Sequence, residues 1–145
     1  LHLCDRRQRQ MCIRDRVSSF QFSNPSLLKL SFALNNGFET EDASQINISL
    51  ESHVETQPGP EENSAVVVLN LLIGKKDDSS PFFIEAEEAA LFRWNPEKVD
   101  AEHSEKLLKQ NAPALLLSYL RPTISLITSA SPYAAYDIPF MNFTE

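Results

Sequence analysis

Apolar and polar residues alternate in several short segments of the chain, which is the pattern of β-strands that bury one face. Strand-length segments occupy residues 20–34, 46–54, 65–73 and 82–94, and the first two show this alternation. Asn24-Pro25 interrupts the first segment. The third is rich in β-branched residues, which predicts a central strand buried on much of both faces. Because the links between the segments are short, we expect an antiparallel meander.

The period of the pattern changes after the fourth segment. Residues 101–110 are polar and favour a helix, and Asn111 is the predicted cap of a longer one, with Pro113 in its first turn. Apolar residues then recur at helical spacing over 116–127, and residues 133–143 are expected to form an extended tail. The predicted fold class is α+β: a four-stranded antiparallel sheet with a long C-terminal helix packed on one side.

Such a helix covers one face of the sheet and leaves apolar positions on the other. Exposed apolar strips of this kind indicate an oligomer interface or a ligand surface. Aromatic residues also crowd the C-terminal half of the chain. Most of them are expected in the core, but those in the tail can line a groove beside a sheet edge, where extended polypeptide binds.

The first sixteen residues differ in composition from the rest. They hold both cysteines, five of the thirteen basic residues and only two of the twenty acidic ones. Residues 1–16 are therefore interpreted as a non-native or disordered leader, with an anion-binding basic arm as the alternative. Residues 17–145 are interpreted as a single domain, which has eight basic and eighteen acidic residues and hence a formal charge of −10.

The charge and composition of this domain indicate which partners and which compartment to expect. It repels nucleic acid and anionic lipid, so neither is an expected partner. No segment approaches the roughly 18 apolar residues of a membrane span, so no membrane insertion is expected. The domain lacks cysteine, which fits a cytoplasmic protein.

Residues suited to catalysis are scarce. The domain has no cysteine that could form a catalytic or metal-binding site with His53 or His103, and each is interpreted as a surface histidine. Glu85 and Glu87 share one strand face and are interpreted as a solvated acidic edge. The chain has only three glycines, too few for a Gly-rich phosphate loop. The sequence therefore predicts no enzyme, no metal site and no cofactor.

Residues 111–133 resemble the long helix of the SecB family of protein-export chaperones. That helix begins with a proline near its start and carries a Tyr-x-Arg-x-x-Ile core. Tyr119, Arg121 and Ile124 stand at the matching positions.

Two further segments resemble the same family. Its tail ends in Pro-x-Asn-Phe, and Pro139-Phe-Met-Asn-Phe143 is similar, with one extra residue before the asparagine. The segment from Phe83 to Phe92 resembles the family's fourth strand. The resemblance covers about residues 20–143, and its last third is the most specific part.

The resemblance implies an ATP-independent holdase that binds unfolded preproteins and passes them to the motor SecA. It also implies a cytoplasmic homotetramer built as a dimer of dimers. It also implies a client groove lined by the second strand, the connection between strands and the segment after the long helix. On this sequence the implied peptide-binding residues are Ile46, Ile48, Leu50, Tyr133, Tyr136, Ile138, Phe140 and Phe143.

The family meets SecA partly through acidic residues on the open face of its sheet. Glu85 is the implied SecA contact, whereas Lys29 and Ala33 stand where further carboxylates are expected. Solitary SecB-like chaperones, including those that guard an antitoxin, share the fold without that full surface and are the close alternative. A small apolar-ligand-binding α+β domain with an enclosed cavity and a purely structural subunit are the other two classes.

Overall fold

A computed structural model of the chain describes residues 18–40 and 46–144. Its strands are β1 Phe20–Phe22, β2 Ser26–Leu34, β3 Leu50–Pro58, β4 Ser64–Gly74 and β5 Phe82–Trp94. Helix α1 Ala101–Lys106, a π-helical turn Leu107–Asn111 and helix α2 Ala112–Ser129 follow. The predicted α+β class, an antiparallel sheet with a long C-terminal helix on one side, is confirmed. The interpretation of residues 1–16 lies outside the described part of the chain.

The strand order departs from the predicted meander in one respect. Strands β3, β4 and β5 follow one another as hairpins, but β1 and β2 pair with β5 and not with β3. Residues 35–49 join β2 to β3, which lies at the opposite edge of the sheet. The first segment is interrupted at Asn24-Pro25 as predicted, because Pro25 has no N–H for the ladder. Just before this interruption, the Ser23 N–H donates to the Leu91 carbonyl at 2.9 Å.

Strand β5 remains extended although residues 85–90 on their own favour a helix. Its partners are β4 on one side and β1 and β2 on the other, so its backbone is hydrogen-bonded along both edges. Ile84 and Ala86 are fully buried. Tertiary pairing and burial thus override the local helix propensity, which is worth only a few tenths of a kcal/mol per residue, up to about 0.7.

The core lies between α2 and the sheet face that it covers, called the inner face below. The β4 side chains that point to this face are fully buried: Val67, Leu69, Leu71 and Ile73. Opposite them lie the buried α2 residues Leu116, Leu120 and Ile124. The apolar face of β4, with its period of two residues, therefore packs against the apolar stripe of α2, with its period of 3.6 residues.

The helical region begins at Ala101, in the segment 101–110 that the sequence favours as a helix. The carboxylate of Asp100 accepts a hydrogen bond from the His103 N–H at 2.7 Å and caps α1. Asn111 does not act as a cap: its backbone is helical and its side chain makes no capping hydrogen bond, so that prediction is wrong. The π-helical turn carries the chain into α2 just before Pro113, which has no N–H to donate.

Candidate functional site

The segment after α2 is held against the end of the helix. The Tyr136 N–H donates to Thr128 Oγ1 at 2.7 Å, and the Tyr133 N–H donates to Ser131 Oγ at 3.1 Å. Ile138 is fully buried and belongs to the core cluster. Residues 134–144 have no regular secondary structure, as expected for an extended tail. These contacts place the tail beside the inner face of the sheet.

A cavity of about 200 Å³ lies between the tail and the start of β5, and we call it the tail cavity. Its walls are Ile46, Ile48, Pro81, Phe82, Tyr133, Ala134, Ala135 and Tyr136. Phe82 forms the centre, with its ring centroid 6.3 Å from that of Tyr133 and 6.4 Å from that of Tyr136. Phe38 packs edge-on against Tyr133 at 6.0 Å.

The chemistry of the tail cavity is apolar and uncharged. Its lining includes no acidic or basic side chain, and burial raises the pKa of the Tyr136 phenol. A dry cavity of about 150 Å³ lined by apolar side chains binds benzene in a model system. The tail cavity can therefore take one large apolar side chain, held by contact and desolvation and not by directed bonds.

The structure brings half of the eight implied peptide-binding residues together here: Ile46, Ile48, Tyr133 and Tyr136. Leu50 is half-buried at the start of β3 and packs on the core. Ile138 has no exposed surface, so it supports the tail from below. Phe140 is 92% exposed and outside the tail cavity.

The last implied residue, Phe143, lines a second cavity of about 430 Å³ together with Ser52, His53, Val54, Thr56, Lys109 and Asn142. This second cavity lies beside β3 and is more polar than the tail cavity. Strand β3 pairs with β4 on one side only, so within the described part of the chain its other edge is open. The tail thus passes between two cavities with a free strand edge alongside.

The lining residues that sequence reasoning missed are Pro81, Phe82, Ala134 and Ala135. Phe82 was grouped with the core aromatics, and it is both buried and part of the cavity wall. The two alanines carry no pattern that distinguishes them from other small residues. Their proximity to Ile46 and Ile48 arises from a contact between segments almost ninety residues apart.

The face of the sheet opposite α2, the outer face, carries Glu85. Its Oε2 lies 3.0 Å from Nζ of Lys29 on the neighbouring strand, and the hydrogen bond from Lys29 lowers the pKa of the Glu85 carboxyl. On the same face Asn70 Nδ2 donates to Glu87 Oε1 at 3.0 Å. The carboxylate implied as a SecA contact is therefore already paired with a cation of its own chain.

The other polar clusters of the described residues show no catalytic arrangement. His53 Nε2 is 3.4 Å from Glu55 Oε1 on an exposed strand surface. Within residues 18–40 and 46–144, no three side chains of the metal-ligating types come close enough together to hold an ion. No helix in the same residues has the length and apolar character needed to cross a membrane.

A family model described as "Preprotein translocase subunit SecB" matches residues 18–145. The SecB-like chaperone Rv1957 of Mycobacterium tuberculosis, solved in complex with a ChAD peptide from the Rv1956 HigA1 antitoxin, has a similar fold. It aligns with a TM-score of 0.63 and 15% identity over 91% of this chain and 92% of that one. A protein of unknown function from Streptococcus agalactiae aligns with a TM-score of 0.51 and 16% identity over 83% of this chain and 97% of that one. No curated protein matches the sequence.

Since the family model spans nearly all of the described residues, the chain belongs to the SecB family. This membership confirms the resemblance seen in the helix, the tail and the fourth predicted strand. It supports a chaperone role, in accord with the apolar cavity and the open strand edge.

Proposed function

We propose that this SecB-family chain is an ATP-independent holdase that binds unfolded polypeptides, including preproteins for export, along its C-terminal tail. The tail cavity carries the proposal, because it is large enough for one apolar side chain and has no charged group in its walls. Apolar side chains are the feature that an unfolded client exposes and a folded protein hides. The site therefore recognises a state of the client and not a particular sequence.

The open edge of β3 supports the same function. Among the described residues, no strand pairs with the backbone N–H and C=O groups of this edge beside the second cavity, where Phe143 and Val54 offer apolar contacts. An extended client segment can pair with such an edge while its side chains enter the neighbouring cavities. Contacts of this kind are individually weak and tolerate many sequences, which suits a chaperone that must also release its clients.

The charge of the domain adds a preference among clients. Residues 17–145 carry a formal charge of −10, whereas the walls of the tail cavity carry none. Long-range attraction therefore favours basic segments, and local contact favours apolar ones. The same charge keeps a protein with exposed apolar surface soluble.

In the export role, the chain works in the cytoplasm as a homotetramer, a dimer of dimers, and transfers clients to SecA. Glu85 on the outer face is the proposed SecA contact. Its pairing with Lys29 weakens that contact, because a partner's cation must displace one already present at 3.0 Å.

The Lys29–Glu85 pair favours a second candidate, a solitary SecB-like chaperone that guards an antitoxin and does not dock on SecA. The M. tuberculosis chaperone that binds an antitoxin peptide has this fold. A domain for small apolar ligands is disfavoured, because the exposed residues Ala134 and Ala135 lie in the wall of the tail cavity and open it to solvent.

A charge placed in the tail cavity tests the chaperone function. The wild-type chain should slow the refolding of a slow-folding client. Ala135→Glu should reduce its apparent affinity at least about tenfold, because an apolar client side chain that enters the tail cavity would remove water from the new carboxylate. Ala114→Glu makes the same change at an exposed position of α2 and should have no effect. Normal capture by Ala135→Glu would refute this placement of the site, and a wild-type chain without any effect on refolding would refute the chaperone role.

A further inference from the structure

Asn36 and Gly37 are the two central residues of the turn that follows β2. The Phe38 N–H closes this turn by donating to the Asn35 carbonyl at 3.0 Å. Asn36 is exposed, and it is the only asparagine in the chain that a glycine follows. The pair belongs neither to the core cluster nor to the lining of the tail cavity, so neither packing nor client binding accounts for it.

The groups that react when an asparagine deamidates are both accessible in this turn. Deamidation begins when the backbone nitrogen of the next residue attacks the side-chain amide carbon. Within residues 18–40 and 46–144 the Asn36 side chain makes no hydrogen bond, and the Gly37 N–H donates to no acceptor. Glycine also has no side chain that would obstruct the approach of its nitrogen. The turn therefore leaves the reaction unhindered.

The other asparagines of the described residues each lack one of these conditions. Prolines follow Asn24 and Asn95, and a proline nitrogen has no proton to lose. Asn35 and Asn70 hold their side-chain amides in hydrogen bonds. A residue with a side chain follows each of the remaining asparagines, which are Asn47, Asn63, Asn111 and Asn142.

The reaction at this pair needs no reagent other than water. The Gly37 nitrogen, after losing its proton to base, bonds to Asn36 Cγ, and the bond from Cγ to the amide nitrogen breaks with release of ammonia. Water then opens the resulting cyclic imide at one of its two carbonyls. Cleavage between the nitrogen and Cγ gives aspartate. Cleavage at the main-chain carbonyl gives isoaspartate, in which the main chain passes through Cβ and Cγ and is one carbon longer.

The turn is fixed on both sides of the reacting pair. On one side, the Asn35 N–H donates to the Pro81 carbonyl at 3.0 Å, and its side chain donates to two further carbonyls of the link between β4 and β5. On the other side, Phe38 packs edge-on against Tyr133, with ring centroids 6.0 Å apart. A longer main chain must displace one of these contacts. The aromatic contact is the weaker, since it is a single pair whereas Asn35 donates three hydrogen bonds.

The carboxylate that the reaction creates acts in the same direction. The Asp78 carboxyl lies against Gly37, because a Cβ at position 37 would collide with it. A new carboxylate at the neighbouring residue is repelled by this charge. Because Asp78 and Asn36 are both exposed, solvent and salt screen the repulsion, and the longer main chain has the larger effect.

We infer that Asn36 is a site of spontaneous deamidation and that its isoaspartyl product releases Phe38 from Tyr133. The consequence for clients rests on the proposed function, because Tyr133 is part of the wall of the tail cavity. Loss of its contact with Phe38 should weaken client capture roughly two- to tenfold, the range for one aromatic pair. The chain therefore loses affinity for clients as it ages.

Incubation of the purified chain in mildly alkaline buffer, followed by peptide mass mapping, tests the site. The peptide that contains Asn36 should gain the mass difference between an amide and an acid, and an isoaspartyl methyltransferase should methylate it. Gly37→Ala should slow the modification several-fold, because its methyl group obstructs the attacking nitrogen. The nearest atoms to that methyl belong to Asp78, an exposed side chain that can rotate away. Unmodified Asn36 in the wild type, or equal rates in the two proteins, would overturn the inference.

The NMR signals of the Tyr133 ring report its contact with Phe38. They should shift in the isoaspartyl fraction of the aged protein, because the ring current of Phe38 no longer acts on them. Asn36→Asp is the matched control, since it adds the charge without the additional carbon and should keep the ring signals and the client affinity of the fresh wild type. Unchanged signals in the isoaspartyl fraction overturn the inference, as would an Asn36→Asp protein that reproduces the aged one.

Client capture measured on the same samples separates this inference from the proposed function. If the fresh wild type slows client refolding and isoaspartate at position 36 leaves its affinity unchanged, the chaperone role stands and the inference fails. If isoaspartate forms and the Tyr133 signals shift, but the fresh chain captures no client, the modification site stands and the proposed function fails.

Discussion

The buried hydroxyl of Thr128, near the end of α2, accepts a hydrogen bond from the backbone N–H of Tyr136 at 2.7 Å. The same hydroxyl donates to the Ile124 carbonyl at 2.7 Å, so it is held in place by the helix. One side chain thus joins the helix that forms the core to the tail that lines the tail cavity. Because of this link, the packing of α2 fixes the position of Tyr133 and Tyr136.

Thr128→Val should destabilise the fold and weaken client capture. Valine keeps the shape but offers no acceptor, which leaves the Tyr136 N–H unsatisfied at a cost of about 1–3 kcal/mol. Thr128→Ser retains the hydroxyl and should preserve capture. Urea unfolding and a refolding assay measure the two effects, and equal capture by both variants would show that the hydrogen bond does not position the tail.

Tyr136 and Phe140 should differ in their importance for client binding. Tyr136→Asp places a charge in the wall of the tail cavity and should abolish capture, whereas Tyr136→Phe should retain it. Phe140 is 92% exposed, so Phe140→Asp should reduce affinity only about two- to fivefold, as expected for one contact at a rim. Titration with an unfolded client measures these affinities, and a larger loss from Phe140→Asp would move the site outward along the tail.

Stability should depend far more on the inner face of β4 than on its outer face. Leu69→Ala removes a fully buried side chain opposite α2 and should cost about 2–5 kcal/mol. Val66→Ala changes a half-buried residue on the outer face and should cost about 1 kcal/mol. Chemical denaturation measures both, and similar losses would contradict the assignment of the two faces.

Glu88 should make the stability of the folded chain depend on pH. Because burial raises the pKa of its carboxyl in the folded state, folding favours the protonated form, and stability falls as pH rises from the ordinary glutamate value through the folded one. Glu88→Gln should remove this loss and stabilise the protein at neutral pH. Thermal unfolding from mildly acidic to neutral pH, at constant association state, tests this, and parallel curves for wild type and variant would contradict it.

Releasing Glu85 from Lys29 should strengthen any binding to SecA. Lys29→Gln removes the cation 3.0 Å from Glu85, and the freed carboxylate should tighten SecA binding about two- to fivefold, the range for an exposed ion pair. Lys109→Gln changes the net charge equally by breaking the exposed pair with Glu105. Calorimetric titration compares the two, and equal tightening would indicate a general charge effect in place of a contact at Glu85.

Several features of the fold could be predicted from the sequence because they depend on local patterns. A run rich in β-branched apolar residues over 65–73 located β4, and apolar residues at helical spacing located α2. The sequence did not predict that the helix continues through Asn111, because asparagine is a good helix cap and the local sequence fits a cap at this position. The continuation follows from the core, where Leu108 before Asn111 and Ala112 after it are both buried.

Only part of the candidate site could be predicted from the sequence. Tyr133 and Tyr136 could be placed from the family resemblance, whereas their contact with Phe82 and Ile48 joins segments far apart in the chain. The pairing of Lys29 with Glu85 likewise depends on β2 lying beside β5, a position that the predicted meander did not include.

The sequence by itself determined which segments are strands and which are helical. A segment that buries one face carries apolar residues at the period of its secondary structure, and this pattern does not depend on where the segment lies in the fold. Only the tertiary structure decided that β2 lies beside β5, that Glu88 is buried on the inner face, and that the tail forms a cavity with residues before β3. These relationships arise from long-range packing, where several arrangements satisfy the same local pattern and the complete core selects one of them.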